Sequence, residues 1–448
     1  MIQPQSDGAA SIVFPADMKQ DNIIFTDNTS MRDTMQDRVH THANGKRWTL
    51  DHPELGTGPL PITPYLSAEH FEQEREKIFS RTWLCTGKKV EEIPQPGDYL
   101  VLDIAVGKTS VLLVRGKDGR VRGFHNVCKH RGNRLAWNER GACGAGLTCR
   151  FHGWTYAADG RLIGVPEEDM FFDFDKRDYG LSPIATDVWE GFIFINLDPD
   201  PPETLHQYLG EVVDLLRGYA FDRLPLSWSY TAEQKCNWRI LRDSQLEFYH
   251  GKALHQQFAG KVMMNKQQPS CHVLDAKLFR RHSMMSFYGD RRNTQRTPME
   301  LLMAQFGASF KTFPSARDMD RWPLGVNPTR SRQWFFDIYH IFPNFHLVIL
   351  SPFLFVAHTM LPETVNRSTW NARGYFPQPT TAAETVTREY NKCLARDVWL
   401  EDGSTLENTQ RGIESGVLSQ YPVQDQELLI RHAHKVADEL LASDGQAG

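Results

Sequence analysis

Two short stretches that each combine a cysteine with a histidine constrain the fold of this chain more than any other feature. "CKHRG" begins at Cys128 and "CRFHGW" begins at Cys149, so two thiolates and two imidazoles stand on neighbouring loops. Soft and borderline ligands in this grouping predict a metal site. Zinc is one interpretation, because sets of two cysteines and two histidines often bind zinc structurally. A zinc finger, however, more often keeps both cysteines on one arm and both histidines on the other.

Each arm here carries one cysteine and one histidine. This layout suits a two-iron cluster with both thiolates on one iron and both imidazoles on the other. Histidine ligands raise the reduction potential above that of an all-cysteine cluster, so the centre can accept an electron from a carrier and pass it on. The two stretches, with their flanking Arg-Gly and Gly-Trp pairs, closely resemble the Rieske [2Fe–2S] motif. The resemblance implies that the cluster ligands are Cys128, His130, Cys149 and His152.

The remaining cysteines are interpreted as thiols without a ligand role. Cys143 lies in the loop between the two arms, which is slightly longer than is usual in Rieske domains, and we predict that it is a bystander. The chain has 7 cysteines in 448 residues, an odd and sparse set that is typical of reduced thiols rather than a disulfide framework. The first residues show no secretory pattern, so the sequence predicts a cytoplasmic protein.

A second group of ligands follows about a hundred residues later in "NWRILRDSQLEFYHGKALHQQF", which contains His250 and His255. On an ideal helix, residues five apart point about 140° away from each other. Gly251 allows the local distortion that would turn both imidazoles toward one metal. Two neutral histidines and one carboxylate, with open positions, form the facial triad of non-haem Fe(II) oxygenases.

The wider pattern around these histidines resembles the large (α) subunit of Rieske non-haem iron ring-hydroxylating oxygenases. That family carries its third iron ligand in a motif of the form E-D-x4-E-x2-Q-x-G, and this chain reads "EDGSTLENTQRG" from Glu401. The resemblance therefore implies that His250, His255 and Asp402 hold a mononuclear Fe(II). It extends from about Phe71 to Gly412, with the motifs in the expected order. His346 and His358 are predicted to line a pocket at most.

An acidic residue three positions before the first iron histidine links the two metal sites in this family. It bonds that histidine and a Rieske histidine of the adjacent subunit, and the resemblance assigns this role to Glu247, on the same helix face as His250. Members with aromatic substrates commonly have aspartate here, whereas glutamate is similar to some members that act on quaternary amines. Asp243 is a second carboxylate nearby, and we interpret it as a supporting residue.

Composition changes along the chain indicate the domains. Short β runs separated by turns fill residues 98–198, and "DPDPPE" then separates them from a segment with helices and longer strands. We predict an α+β fold with a small all-β Rieske domain inserted in a larger helix-grip (START/Bet v 1-like) catalytic domain with a long antiparallel sheet. The predicted boundaries are an N-terminal arm at 1–45, the first part of the catalytic domain at 46–88, the Rieske domain at 89–205 and the mononuclear iron domain at 206–448.

The resemblance implies a terminal oxygenase, an oxidoreductase that receives electrons originating from NAD(P)H through a flavin reductase or ferredoxin. It would use O2 to hydroxylate an apolar, aromatic small molecule. Monooxygenation of a quaternary amine, or oxidative demethylation, is the alternative. A Rieske electron carrier leaves the later histidines unexplained, and a zinc-stabilised binding protein would be colourless. Head-to-tail transfer between subunits implies a homotrimer, with or without a separate β subunit (α3 or α3β3).

Charge and hydropathy argue against two classes of partner. The net charge is −5, whereas a nucleic-acid-binding surface would be basic. The sequence also lacks the run of about 20 apolar residues that a membrane span needs. We therefore expect neither a nucleic acid nor a membrane as a partner.

Overall fold

Two large sheets organise the part of the chain that the structure, a computed structural model, describes: residues 10–11, 47–256, 271–289 and 319–443. The predicted N-terminal arm lies outside the described residues, except for residues 10–11. Among the described residues, no helix has both the length and the apolar character needed to cross a membrane.

The elements are numbered in chain order. The strands are β1 (Ala10–Ser11), β2 (Leu60–Pro61), β3 (Leu84–Lys89), β4 (Asp98–Ile104), β5 (Thr109–Arg115), β6 (Val121–His125), β7 (Arg140–Ala142), β8 (Leu147–Thr148), β9 (Thr155–Tyr156), β10 (Leu162–Gly164), β11 (Pro183–Trp189), β12 (Phe192–Asn196), β13 (Leu226–Gln234), β14 (Val273–Leu278), β15 (Ser283–Tyr288), β16 (Trp334–Ile341), β17 (Phe345–Ser351), β18 (Leu354–Thr364), β19 (Arg367–Tyr375) and β20 (Gln420–Tyr421). The helices are α1 (Thr63–Leu66), α2 (Ala68–Glu74), α3 (Leu205–Leu209), α4 (Glu211–Leu215), α5 (Trp238–Asp243), α6 (Gly251–Leu254), α7 (Ala382–Glu414) and α8 (Leu428–Ala442).

The larger sheet has the strand order β1-β13-β19-β18-β17-β16-β15-β14, and each pair is antiparallel except β1 with β13. Side chains alternate between its two faces, as the period of a strand requires. One face places Phe345 and Phe355 against Phe192 and Phe194 of the smaller domain. The opposite face packs against α5 and α7.

The smaller domain combines a sheet of order β3-β12-β11-β6-β5-β4-β7 with a short sheet of order β10-β9-β8. The segment before it contacts the larger domain, since Phe71, Ile78 and Phe79 share a core cluster with Val436 and Ala437 of α8, a cluster that also includes residues of the smaller sheet. An all-β unit is therefore inserted in a larger unit of sheet and helices, which confirms the predicted α+β fold. The residue numbers of the predicted domain boundaries stay a prediction.

Local signals in the sequence account for several helix ends. The Ser67 Oγ accepts a hydrogen bond from the His70 backbone N–H at 3.1 Å and caps α2. Helix α7 contains Asp402 and continues without a break through Gly403. A glycine inside a helix costs only about 1 kcal/mol relative to alanine, so a long and well-capped helix tolerates it.

Candidate metal centres

The loops of the two Cys/His motifs share one backbone pattern. In the first, the Cys128 N–H donates to the Asn133 carbonyl at 2.8 Å and the Gly132 N–H donates to the Cys128 carbonyl at 2.9 Å. In the second, the Cys149 N–H donates to the Trp154 carbonyl at 2.7 Å and the Gly153 N–H to the Cys149 carbonyl at 2.9 Å. The glycine four residues after each cysteine has φ of +78° or +74°, a conformation that other residues rarely adopt.

These loops bring the four predicted cluster ligands together. Cys128 and Cys149 are buried, and the rings of His130 and His152 lie 4.5 Å apart. The Nδ1 of His130 is buried without a hydrogen-bond partner, and Trp154 stacks on the same ring at 4.9 Å. Burial lowers the pKa of His130, which keeps the imidazole neutral, as a ligand must be.

Polar groups face the two sulfur atoms. The Asn133 Nδ2 donates to Cys149 Sγ at 3.7 Å, and the Tyr156 hydroxyl lies 3.4 Å from Cys128 Sγ. Two thiols, two imidazoles and an unpartnered ligand nitrogen fit a [2Fe–2S] cluster. Burial raises the pKa of Cys143 to about 11, which is typical of a structural thiol and supports its interpretation as a bystander.

The second site lies between α6 and α7. His250 immediately precedes α6 and His255 immediately follows it, while Asp402 projects from the middle of α7. The Nε2 atoms of the two histidines are 3.2 Å apart, and the Asp402 Oδ1 lies 3.0 Å from His255 Nε2 and 3.6 Å from His250 Nε2. Ligand atoms of this group all lie within 4.8 Å of one another, and it is the single such group in the described ranges.

Two glutamates bind the far sides of the imidazoles. The Glu247 Oε1 pairs with Nδ1 of His250, and the Glu401 Oε2 lies 2.7 Å from Nδ1 of His255. Burial disfavours protonation of His250, but the Glu247 and Asp402 carboxylates outweigh it and raise its pKa to about 9. The pKa of His255 is also raised against the effect of burial, by Asp402 and then by Glu401. The carboxylates stabilise positive charge at the two imidazoles. A divalent cation can supply that charge in place of the protons, so the group fits a metal site.

The segment around Glu247 differs from the predicted continuous helix. Residues 244–250 leave the helical path between α5 and α6. The Glu247 carboxylate accepts the backbone N–H groups of Tyr249 and, at 3.1 Å, of His250. A side chain that takes these donors competes with the bonds of a helix, so Glu247 reaches His250 from a turn and not from a shared helix face. Gly251 provides space, since a Cβ there would lie 2.4 Å from the Phe248 ring.

Asp243 belongs to a separate buried network. Its Oδ1 accepts hydrogen bonds from Arg242 at 2.8 and 2.6 Å. Its Oδ2 accepts the Tyr65 hydroxyl at 2.6 Å and lies 3.1 Å from His434 Nε2. Burial raises the pKa of Asp243, but Arg242 and His434 outweigh that effect and hold it well below its usual range. These contacts support the interpretation of Asp243 as a supporting residue.

Sequence reasoning missed Glu401 as a site residue. The signal was present, because Glu401 is the first residue of the quoted "EDGSTLENTQRG". Its contact with His255 joins residues 146 positions apart, and only the packing of α7 on α6 reveals it. His346 and His358 lie on β17 and β18 and are each 1% exposed, and their predicted place in a pocket lining stays a prediction.

Comparison with protein families divides the chain into two matches. Residues 82–175 match the Rieske [2Fe-2S] domain, and residues 221–443 match the ring hydroxylating alpha subunit (catalytic domain). The first match contains both Cys/His loops, and the second contains His250, His255 and Asp402.

Comparison with individual proteins finds similar oxygenase subunits, and their names specify different substrates. The chain is 38% identical over 196 residues to a glycine betaine monooxygenase oxygenase subunit of Pseudomonas aeruginosa, covering 44% of each protein. It is 35% identical over 197 residues to a biphenyl 2,3-dioxygenase subunit alpha of Rhodococcus jostii, covering 40% of this chain and 42% of the relative. The match thus spans less than half the length of each relative. A solved structure of naphthalene 1,2-dioxygenase from Rhodococcus sp. superposes with a TM-score of 0.68 at 20% identity, over 88% of this chain and 97% of that one.

Proposed function

From the premise that the chain belongs to the Rieske oxygenase α-subunit family, we propose that it is the terminal oxygenase of a multicomponent system. The observation that carries this proposal is the meeting of His250, His255 and Asp402 in a chain that also holds the Rieske loops. A Rieske electron carrier would have no use for the second group. A zinc-stabilised binding protein would use neither the Rieske domain nor the oxygenase domain.

We assign Cys128, His130, Cys149 and His152 to the [2Fe–2S] cluster, and His250, His255 and Asp402 to the mononuclear Fe(II). When bound, the two groups supply stored electrons and the activation of O2 for insertion into the substrate. The chain's own residues orient the ligands. Glu247 and Glu401 each accept Nδ1–H of one imidazole, so each Nε2 lone pair points toward the metal.

Glu247 has a second proposed role as the link between subunits. Its carboxylate holds Nδ1 of His250, and it stands at a turn beside the exposed Tyr249. A neighbouring subunit's Rieske loops can approach from this side, so that an electron enters through Glu247. Such a head-to-tail contact closes into a ring, and we propose a homotrimer with or without a β subunit. A flavin reductase or a ferredoxin, supplied by NAD(P)H, would deliver the electrons.

We propose an N-methyl quaternary ammonium compound as the substrate. The identity to the betaine monooxygenase subunit supports this class, as does glutamate rather than aspartate at position 247. The reaction would insert one oxygen atom of O2 into a methyl C–H bond and reduce the other to water, with an electron pair and two protons consumed. The resulting N-hydroxymethyl group releases formaldehyde, a product that is easily measured.

Hydroxylation of an aromatic hydrocarbon is the second candidate. One phenylalanine ring lies beside the second site, since Phe248 stacks 5.9 Å from His255. Behind it, Phe336 meets Phe248 at 5.4 Å and stacks on Phe287 at 4.8 Å. Aromatic rings in offset contact can hold a flat apolar substrate. The identity to the biphenyl dioxygenase subunit also favours this class.

A single-turnover assay tests the function without its partner proteins. The protein, loaded with iron and sulfide, is reduced chemically, freed of reductant and mixed with O2 and either glycine betaine or biphenyl. We expect formaldehyde from glycine betaine, together with oxidation of the cluster. A hydroxylated biphenyl product would favour the second candidate. Reoxidation of the cluster without any product from these or related substrates would contradict the oxygenase proposal.

A further inference from the structure

Helix α7 holds the His255 ring from both ends. The Asp402 Oδ1 lies 3.0 Å from Nε2, and the Glu401 Oε2 lies 2.7 Å from Nδ1. Neighbouring residues of a helix point about 100° apart, so two consecutive carboxylates can reach opposite edges of one ring. The His255 side chain is 1% exposed, so it depends on these groups for its hydrogen bonds.

The backbone around His255 gives the ring little support of its own. Helix α6 is a single turn, and the His255 N–H donates to the Gly251 carbonyl at 3.1 Å at its end. His250 differs, because its partner Glu247 is only three residues away and belongs to the same turn. The orientation of His255 is therefore set by α7, which is distant in sequence. Helix α7 supplies both the proposed carboxylate ligand, Asp402, and the second carboxylate, Glu401.

We propose that Glu401 is a positioning residue for the mononuclear iron. It accepts Nδ1–H of His255, selects the tautomer with a free lone pair on Nε2 and fixes the direction in which that lone pair points. This inference rests on the proposed function, in that it takes the His250, His255 and Asp402 group as an iron site. Glu401 contacts the edge of the ring opposite to Nε2, so it acts through His255 and is not itself a ligand.

The exposure of the Glu401 side chain predicts that its truncation affects metal binding more than folding. The Glu401 side chain is 36% exposed, whereas that of Glu247 is 10% exposed. If Glu401 is truncated, water can reach the Nδ1–H of His255, so the protein should still fold. The ring then loses its fixed tautomer and orientation. Removal of such a partner typically lowers metal affinity 10- to 100-fold.

The test compares Glu401→Ala and Glu401→Gln with wild type and with Glu407→Ala. Glu407 lies on the same helix, pairs with Arg411 and accepts the Lys235 backbone N–H at 3.2 Å, so its removal is a control for the loss of an α7 carboxylate that does not contact His255. The anaerobic protein, with its cluster intact and the mononuclear metal removed, is titrated with Fe(II) against a chromophoric chelator. Co(II) substitution then reports the ligand geometry through its visible d–d bands.

We expect Glu401→Ala to weaken Fe(II) binding 10- to 100-fold and to change the Co(II) spectrum. Glu401→Gln should lose less, because its amide oxygen still accepts Nδ1–H, and Glu407→Ala should match wild type. Wild-type Fe(II) affinity and Co(II) spectrum in Glu401→Ala would overturn the proposal. If substrate assays fail while these metal shifts appear, the proposed function is wrong and the positioning role stands. If wild type and His255→Ala bind Fe(II) equally, the iron site itself is misassigned.

Discussion

The Nε2 of His255 meets Asp402, and its ring is nearly fully buried between α6 and α7. The variant His255→Ala removes one proposed iron ligand while leaving the loops of Cys128 and Cys149 untouched. We expect loss of the mononuclear iron and a fall in oxygenation of more than about 100-fold. The visible absorption of the cluster should remain. Loss of both centres together would show that the ligands were divided wrongly between them.

Glu247 pairs with His250 and also accepts backbone N–H groups at the start of α6. The variant Glu247→Gln keeps the size and the acceptor oxygen but removes the charge. We expect both metal sites to stay loaded, while product formation falls by about 100-fold. Iron analysis and product assay on one preparation, beside Glu407→Gln, check this. Wild-type turnover in the variant would exclude the proposed bridge.

Individual residues also show which parts of the site could be predicted from the sequence. His250, His255 and Asp402, which spacing and resemblance selected, do meet in space, and their role as iron ligands stays a prediction. Glu401 was missed although it begins the quoted "EDGSTLENTQRG", because the motif does not report a contact with a residue 146 positions away. The predicted helix across Glu247 was wrong because its carboxylate takes donors that a helix would use.

At the scale of elements, three neighbouring strands carry a row of buried histidines. His340 of β16 pairs in register with His346 of β17, which pairs with His358 of β18. Burial lowers the pKa of all three, to about 3 for His358. Several of their ring nitrogens are buried without a hydrogen-bond partner. The folded protein therefore holds these imidazoles neutral at a cost in unsatisfied polar groups.

This row predicts acid sensitivity. Below pH 6.5, the ordinary pKa of histidine, the unfolded chain binds protons that the folded chain excludes. Above that pH the imidazoles are neutral in both states, so they add no pH dependence. Below it, the free energy of unfolding falls by on the order of 1 kcal/mol per pH unit for each histidine, because protonation favours the unfolded chain. Urea unfolding at pH 8, 7, 6 and 5.5 measures this, and His346→Leu should reduce the slope. An equal slope in both proteins would contradict the explanation.

Element type was easier to predict from the sequence than element length. The short β runs predicted within residues 98–198 do form strands such as β4 and β5. Helix α7 is continuous from Ala382 to Glu414 although it contains Gly403, and glycine is more typical of helix ends. Tertiary packing on β13 and α5 offsets the small intrinsic cost of one glycine, and no local signal reports that packing.

At the scale of the whole molecule, the Rieske loops stand beside exposed aromatic side chains. Phe151 is 55% exposed and lies 3.8 Å from the His152 ring, and Trp137 is 53% exposed. If a neighbouring subunit covers this surface, the cluster of the first subunit would lie close to Glu247 of the neighbour. We expect light scattering to give about three times the 51.4 kDa mass of the chain. A monomer under the conditions of turnover would contradict transfer between subunits.

The order of the motifs along the chain allowed the two-domain fold to be predicted. The substrate was harder to derive, since Phe248 beside His255 comes from the α5–α6 turn, whereas the rings that contact Phe248 come from β15 and β16. A cluster of phenylalanines has the same composition whether it fills a core or faces a ligand, so only the folded arrangement distinguishes these uses.

The central claim is that one polypeptide holds two separate iron sites. Metal analysis of the purified, fully reconstituted chain tests this claim most directly. The account predicts about three irons and two acid-labile sulfides per chain, the sum of a [2Fe–2S] cluster and one mononuclear Fe(II). Zinc in place of iron, or only two irons per chain after saturation, would contradict it.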